Sequence, residues 1–343
     1  MKTIVLKVDP ISPEPKVISR AARLIMEGET VAFPTETVYG LGADATNDGA
    51  VKKIFEAKGR PPDNPLIVHI SSIDDLNRVA CNPSPRVVEF VSYYWPGPLT
   101  VIFRKSEAVS YLATAGLDTV AVRMPAHPVA LALIRASGKP IAAPSANLSG
   151  RPSPTSAEHV LEDLDGKVPM VLDGGETHFG VESTVIDISG DRPVLLRPGP
   201  IPSAELTPLI GEFGEPASFL KEKPVAPGMK YTHYAPRAPL TLVMGKPNGI
   251  VDKIVHLAGN PNRGGIGVLC TDETFSRYPD TFVRVSLGSR FAPYGMLRNL
   301  YKCLRLFDKL GVSEIYAEGV DEVGINITLM NRLRKAARKV VDS

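Results

Sequence analysis

Cysteine is scarce in this chain: three among 343 residues, none near another. Cys81, Cys270 and Cys303 supply neither a CxxC pair nor a disulfide framework, so they read as three buried or half-buried thiols of a reducing compartment. Long apolar runs are missing as well. No stretch approaches the roughly 18 to 20 apolar residues of a membrane span. Met1–Pro10, with Lys2 and Lys7 around a short apolar run, reads as a strand rather than a signal peptide. These absences point to a soluble, cytoplasmic protein with no membrane partner. Charge of one sign is also lacking. The net charge is +2 with 22% charged residues, which argues against disorder and gives no global nucleic-acid signal, although a total can hide a local basic face. GxxxxGK[ST], HExxH and GxSxG do not occur, so any nucleotide site here is not a P-loop.

Proline is what the chain has in excess, with 32, about twice average usage. Many prolines follow β-like runs, as at Phe33-Pro34, Met124-Pro125, Ala143-Pro144 and Arg197-Pro198. Proline fixes φ and restrains the residue before it. Repeated strand-to-proline exits therefore place rigid loops at one rim of a sheet, where α/β folds hold ligands.

A chain of this length with 43% hydrophobic residues fits two domains. Over residues 1–205, strand-like runs such as Thr30–Thr35, Pro65–Ser71, Leu99–Arg104 and Thr119–Arg123 alternate with helix-like runs such as Ala50–Lys58, Pro85–Trp95 and Pro128–Ser137. Late strands with short gaps imply some antiparallel pairing. The first domain is thus an α/β fold with a twisted, open, mixed sheet and flanking helices. Ser203–Gly214 reads as a short helix, and residues 206–238 as a linker stiffened by proline. Residues 239–343 read as a smaller α/β domain, Rossmann-like in outline but without GxGxxG, ending in a helix over Ile325–Val340.

Several segments could carry chemistry. In Lys58-Gly59-Arg60-Pro61-Pro62-Asp63-Asn64-Pro65 a helix ends at Gly59 with two cations around the exit; a lysine point charge and an arginine fork suit phosphate oxygens. The same pair also suits a helix C-terminus. Ser145 and Asn147, in Ala143-Pro144-Ser145-Ala146-Asn147, offer donors and acceptors among small residues, or simply a capped turn. Thr37 lies in Pro34-Thr35-Glu36-Thr37-Val38-Tyr39-Gly40-Leu41-Gly42, a polar loop after a strand. His69 sits in an apolar strand, where a histidine is ordinarily a satisfied core residue. Arg123 closes a buried-type strand and needs an anionic partner, either a structural carboxylate or a substrate one. Gly180–Thr184 and Leu196–Gly199 have bland readings as turns. The linker holds Tyr231, His233 and Tyr234, an aromatic density that inert linkers seldom show.

Taken in order, PTETVYGLG, KGRP with NPL, SAN, ESTV, LRPG and PGMKYTHYAP resemble the threonylcarbamoyl-AMP synthase family in its long two-domain form, with a YrdC-like first domain. The resemblance covers the whole first domain and the linker. It implies a nucleotidyltransferase that makes threonylcarbamoyl-adenylate and pyrophosphate from L-threonine, bicarbonate or CO2, and ATP. The product feeds threonylcarbamoyladenosine formation beside a tRNA anticodon, through a tRNA threonylcarbamoyl transferase complex. By resemblance, Lys58, Arg60, Asn64, Thr119, Ser145, Asn147, Ser153, Arg197, His233 and Tyr234 contact ATP, with Lys58, Arg60, Ser145 and Asn147 central to catalysis. Thr37, His69, Arg123, Ala143 and Ser183 hold threonine. Mg²⁺ accompanies ATP, bound through phosphates and waters with no direct side-chain ligand. Because a mixed anhydride must be shielded from water, Tyr231, His233 and Tyr234 are expected to form a lid.

Other readings compete. An RNA-binding module would use a basic cavity, or the tail Arg332, Arg334, Lys335, Arg338 and Lys339. That tail reads more simply as a solvated helix end, and weak tRNA binding stays open. A carbamoyl-transferring hydrogenase maturation factor contains a similar domain but also zinc-finger cysteine pairs, which this chain lacks.

Overall fold

Short, mostly apolar strands, buried on both faces, are separated by capped helices along the first half of the chain. The computed structural model describes residues 2–190, 192–214, 234–259 and 265–343. Its strands up to residue 214 are β1 (Ile4–Lys7), β2 (Val31–Phe33), β3 (Gly40–Asp44), β4 (Ile67–His69), β5 (Leu99–Arg104), β6 (Thr119–Arg123), β7 (Ile141–Ala142), β8 (Met170–Asp173), β9 (Thr184–Asp187) and β10 (Val194–Arg197). The helices are α1 (Pro15–Met26), α2 (Asp48–Lys58), α3 (Leu76–Val79), α4 (Pro85–Tyr94), α5 (Pro128–Ser137), α6 (Ala157–Leu164) and α7 (Ser203–Ile210). The strands form one mixed sheet in the order β1-β8-β2-β3-β7-β4-β6-β5-β9-β10, the mixed α/β architecture expected from the sequence.

Local chemistry starts and stops the helices. Asn47 caps α2 by accepting from the Ala50 amide, and Gly59 ends it in the left-handed conformation at φ 59°, which costs a residue with a side chain about 1–2 kcal/mol. Ser84 and Ser156 cap α4 and α6 in the same way as Asn47. Helices cover both faces of the sheet. On β2, Val31 and Phe33 face a cluster with Ile25 of α1 and Leu133 of α5. Ala32 between them faces the cluster with Ile54 of α2 and Val91 of α4, as a period of two demands.

The second unit has strands β11 (Leu240–Met244), β12 (Ile266–Cys270), β13 (Val283–Ser286), β14 (Glu314–Glu318) and β15 (Lys339–Asp342), with helices α8 (Pro247–Ala258), α9 (Pro293–Leu310) and α10 (Asn326–Ala336). Its sheet is parallel throughout, ordered β13-β12-β14-β11-β15. The chain forms two compact units, Met1–Ser149, Ser153–His178 and Glu182–Tyr231 making one, and Gly150–Pro152, Phe179–Val181 and Thr232–Ser343 the other. Two short segments from the earlier sequence thus belong to the second unit.

Some expectations need correction. The helix expected over Ser203–Gly214 stops at Ile210, where Gly211 turns away at φ 90°. The closing helix ends at Ala336, and β-branched Val340 and Val341 continue as β15 beside β11. Arg332 is not a solvated helix end. It is fully buried, with its guanidinium 5.4 Å from the Tyr234 ring. Cys81 is exposed rather than buried.

Candidate active site

The loop after β2 is shaped by one hydroxyl. Thr35 Oγ1 donates to the Val38 carbonyl at 2.7 Å and accepts from the amides of Thr37 and Val38. Its proton being committed, the 2.8 Å contact with Thr37 Oγ1 runs from Thr37 to Thr35. Thr37 Oγ1 in turn accepts from Arg123 Nη1 at 2.8 Å. Arg123 Nε donates to the Gly97 carbonyl, and Nη2 lies 2.6 Å from Glu36 Oε1. That last pair is an ion pair by distance but lies outside hydrogen-bonding geometry. The arginine that needed an anionic partner therefore has Glu36 beside it. The sequence reading did not place Glu36 in the site, although the structural-carboxylate alternative for Arg123 was the signal that could have found it.

His69 stands level with Arg123 across the parallel β4–β6 pair, so both side chains leave the same face. Burial, and then the Arg123 charge, push its pKa from 6.5 to about 3, so the ring is neutral. Its Nδ1 is buried and has no hydrogen-bond partner among the described residues. Ala143, another expected threonine contact, follows β7 and donates its amide to the Ile67 carbonyl of β4.

A second group gathers at the opposite end of these strands. Lys58, the last residue of α2, is buried and donates through Nζ to the carbonyls of Ser145 and Asn147. The Ser149 amide returns to the Lys58 carbonyl at 3.0 Å. Ser145 Oγ donates to Asn147 Oδ1 at 2.5 Å, and Ala146 donates to the Tyr39 carbonyl. The loop Ser145–Asn147 is thus clamped between the end of α2 and the start of β3. Arg60 bonds the carbonyls of Asn64 and Pro65. Asn64 is buried, with Oδ1 unpartnered among the described residues. The register Ile67↔Ala121 brings Thr119 level with Pro65. Thr119 thereby joins the Arg60 end, while Arg123 marks the other end of β6, four residues or about 13 Å away at ~3.3 Å per residue.

Ser183 and Arg197 meet near the Arg123 end. Val101↔Val122 sets Thr100 level with Arg123, and Thr100 Oγ1 is 2.7 Å from Ser183 Oγ. Arg197, nearly fully buried, donates to the Ser183 carbonyl and to Ser183 Oγ, both at 3.0 Å. Ser153 is buried and donates to Glu182 Oε1 at 2.6 Å. Tyr231 and His233 lie outside the described residues. Tyr234 belongs to the second unit, where its ring is buried and stacks on Tyr301 at 5.2 Å between centroids. The structure thus groups Thr37, His69, Arg123, Ser183 and Arg197 at one end, and Lys58, Arg60, Asn64, Thr119, Ser145 and Asn147 at the other.

Comparison with known proteins adds a separate line. A family model described as "Telomere recombination" matches residues 23–199, and one described as "Threonylcarbamoyl-AMP synthase, C-terminal domain" matches residues 201–338. The threonylcarbamoyl-AMP synthase of Bacillus subtilis is 51% identical over 96% of this chain and 95% of its own length. That of Pyrococcus abyssi is 50% identical over 98% of each. The crystal structure of P. abyssi Sua5 complexed with L-threonine superposes with a TM-score of 0.92 at 47% identity, covering 99% of this chain and 100% of that one.

Proposed function

The chain belongs to the threonylcarbamoyl-AMP synthase family, and from that premise we propose that it joins L-threonine, bicarbonate and ATP into threonylcarbamoyl-adenylate with release of pyrophosphate. The observation that carries this reading is the two-ended site. One end pairs a buried arginine with a neutral histidine and hydroxyls, which fits a small hydroxylated amino acid. The other sets lysine and arginine beside a rigid loop of small residues, which fits phosphates. A carboxylate that meets Arg123 would lie beside Thr37 and near Ser183.

In this reading the carbamate oxygen attacks the α-phosphorus of ATP and pyrophosphate leaves. Such a step calls for positioning and charge neutralisation rather than a protein nucleophile. Arg60 supplies donors to the phosphates, and Arg197, held on Ser183 at the Arg123 end, is a proposed nucleotide contact where ATP would reach the amino acid. Lys58 contributes its charge and fixes the Ser145–Asn147 loop. Asn64, Thr119, Ser153, His233 and Tyr234 are proposed nucleotide contacts, and Ala143 offers backbone to threonine. These donors suit phosphate oxygens rather than a metal cage, and among the described residues no group of three or more His, Cys, Asp or Glu could hold an ion. We place Mg²⁺ on the nucleotide, where it would neutralise phosphate charge. No helix of the described residues is long and apolar enough to cross a membrane. Transfer of the adenylate to a tRNA-modifying complex belongs to the same proposal.

Pyrophosphate release from ATP tests it, with threonine and bicarbonate omitted in turn and serine substituted for threonine. Release that needs both, and that is lost in Arg60→Ala, supports the synthase. Release without threonine would point to a plain ATPase, and none at all to nucleic-acid binding alone.

A further inference from the structure

Glu36 has no place in the site as assigned above, yet it occupies the most demanding position there. It is 7% exposed. Buried carboxylates are normally satisfied through both oxygens. Here Oε2 has no hydrogen-bond partner among the described residues, and Oε1 faces Arg123 Nη2 at 2.6 Å without hydrogen-bond geometry. A purely structural counter-ion would close on the arginine fork through both oxygens. Two further buried atoms of the same neighbourhood lack hydrogen bonds among the described residues, His69 Nδ1 and Arg123 Nη2 itself. Beyond that ion pair, the unmet capacity is one carboxylate oxygen and one ring nitrogen, beside a guanidinium nitrogen that meets Glu36 outside hydrogen-bond geometry. That is the complement of a small zwitterion. A ligand with only a carboxylate would leave Glu36 unexplained, and a cation alone would leave Arg123 so.

We propose that Glu36 binds the α-ammonium of the amino-acid substrate through Oε2 while Arg123 takes its carboxylate, and that Glu36 accepts the proton the nitrogen must lose. The inference rests on the synthase reading. An ammonium has no lone pair, so carbamoylation cannot begin until an N–H bond breaks and leaves its electrons on nitrogen. That proton moves to Glu36. The freed pair forms the N–C bond to the bicarbonate carbon, whose hydroxyl departs with the second amine proton as water. Threonine ammonium, bicarbonate and Glu36 carboxylate thus give threonine carbamate, water and Glu36 carboxylic acid, with charge and atoms balanced. The other groups around Glu36 do not compete for the role. Arg123 is a permanent cation, Thr37 has committed its proton to Thr35, and burial holds the His69 ring neutral. Burial also lowers the pKa of His127, the other ring close to Glu36.

Calorimetric titration of the full chain compares L-threonine with 3-hydroxybutanoate, the same molecule without its amino group. The wild type should prefer threonine by about 100-fold, the scale of a buried charge-assisted hydrogen bond. Glu36→Gln should cut that preference to within about 3-fold while its affinity for 3-hydroxybutanoate holds, and should lower kcat for pyrophosphate release at saturating threonine. Glu36→Asp, which keeps the charge one methylene short, should retain the preference and lose kcat. Equal affinity of the wild type for the two ligands would overturn the proposal even if Glu36→Gln did not fold, and so would a preference unchanged in Glu36→Gln. Either result leaves the synthase reading standing if wild-type pyrophosphate release still needs threonine. Failure of the wild type to bind threonine at all would remove both.

Discussion

Lys58 and Asn147 are 89 residues apart in sequence, and the lysine ammonium ends on the asparagine carbonyl. The same ammonium holds the Ser145 carbonyl, so one buried cation fixes the path of a whole loop. Lys58→Met keeps the aliphatic stem and orphans both carbonyls, at about 1–3 kcal/mol for each buried acceptor. Thermal unfolding should show a clear fall in Tm. Pyrophosphate release should fall by at least about 100-fold, on the scale of a lost transition-state donor. A stable, active Lys58→Met would mean that the loop holds its own shape.

His69 is neutral in the folded chain because its pKa drops from 6.5 to about 3. The unfolded chain therefore binds the extra proton across that window and the folded chain does not. Stability is untouched above pH 6.5 and falls as pH drops toward 3, by up to about 1.4 kcal/mol per pH unit from this group alone. Denaturant titrations of His69→Gln between pH 7 and 4 should show a shallower loss than the wild type. The remaining slope would include His127, whose pKa is also lowered by burial. Parallel slopes in the two proteins would show that His69 is protonated in place.

Gly199 closes the turn that carries Arg197. A Cβ there would lie 2.1 Å from the Thr184 amide nitrogen and 2.4 Å from the Ser183 carbonyl carbon. Neither is the end of a flexible chain, so the backbone must move. Gly199→Ala should cost about 1–3 kcal/mol and pull Arg197 off Ser183, which would show as a raised KM for ATP or threonine as well as a lower Tm. A variant with wild-type kinetics would separate the turn from the site.

Tyr234 stacks on Tyr301 at 5.2 Å and lies beneath Arg332. Tyr234→Ala should therefore destabilise the second unit by about 3–5 kcal/mol, in line with other buried aromatics. Chemical denaturation would then show that unit unfolding earlier. Loss of pyrophosphate release with unchanged unfolding would instead favour the role of nucleotide contact proposed for this residue.

Thiol chemistry gives a cheap check on burial. Burial raises the thiols of Cys270 and Cys303 to about 12, whereas Cys81 is exposed. Under native conditions an alkylating agent should label Cys81 alone. Labelling of either other cysteine before global unfolding would contradict the packing around β12 and α9.

Much of this was legible beforehand, for physical reasons. Helix α2 announces itself by its asparagine cap and its glycine exit, so Lys58 and Arg60 fall at a readable place. Arg123 was readable as a buried cation in search of an anion, but not the identity of that anion. Glu36 sits in a loop whose shape depends on the Thr35 hydroxyl, and no periodicity reveals a turn of that kind. Strand β3 was missed because Gly40-Leu41-Gly42-Ala43 lacks the β-branched residues that mark strands; neighbours on both sides impose its conformation. Strand β15 hid behind a helix-forming run, since Lys339–Asp342 becomes a strand only by pairing with β11. The burial of Arg332 was illegible for a similar reason. A basic residue near a helix end looks solvated until an aromatic ring is found beneath it.

The order of the large sheet has a consequence for how the molecule comes into being. Strand β1 pairs with β8, and Thr3 Oγ1 reaches the Val168 carbonyl across 165 residues. Strand β2 likewise lies between β3 and that same late strand. On a ribosome the first strand made must wait for nearly the whole of the first unit to be synthesised before it has a neighbour. Non-local pairing of this kind slows folding, and a waiting strand edge is a hazard for association between nascent chains. The binding end around Arg123 draws on β4, β6 and the loops after β2 and before β9. It can therefore assemble only after that late closure, and no shorter amino-terminal fragment should hold the substrate.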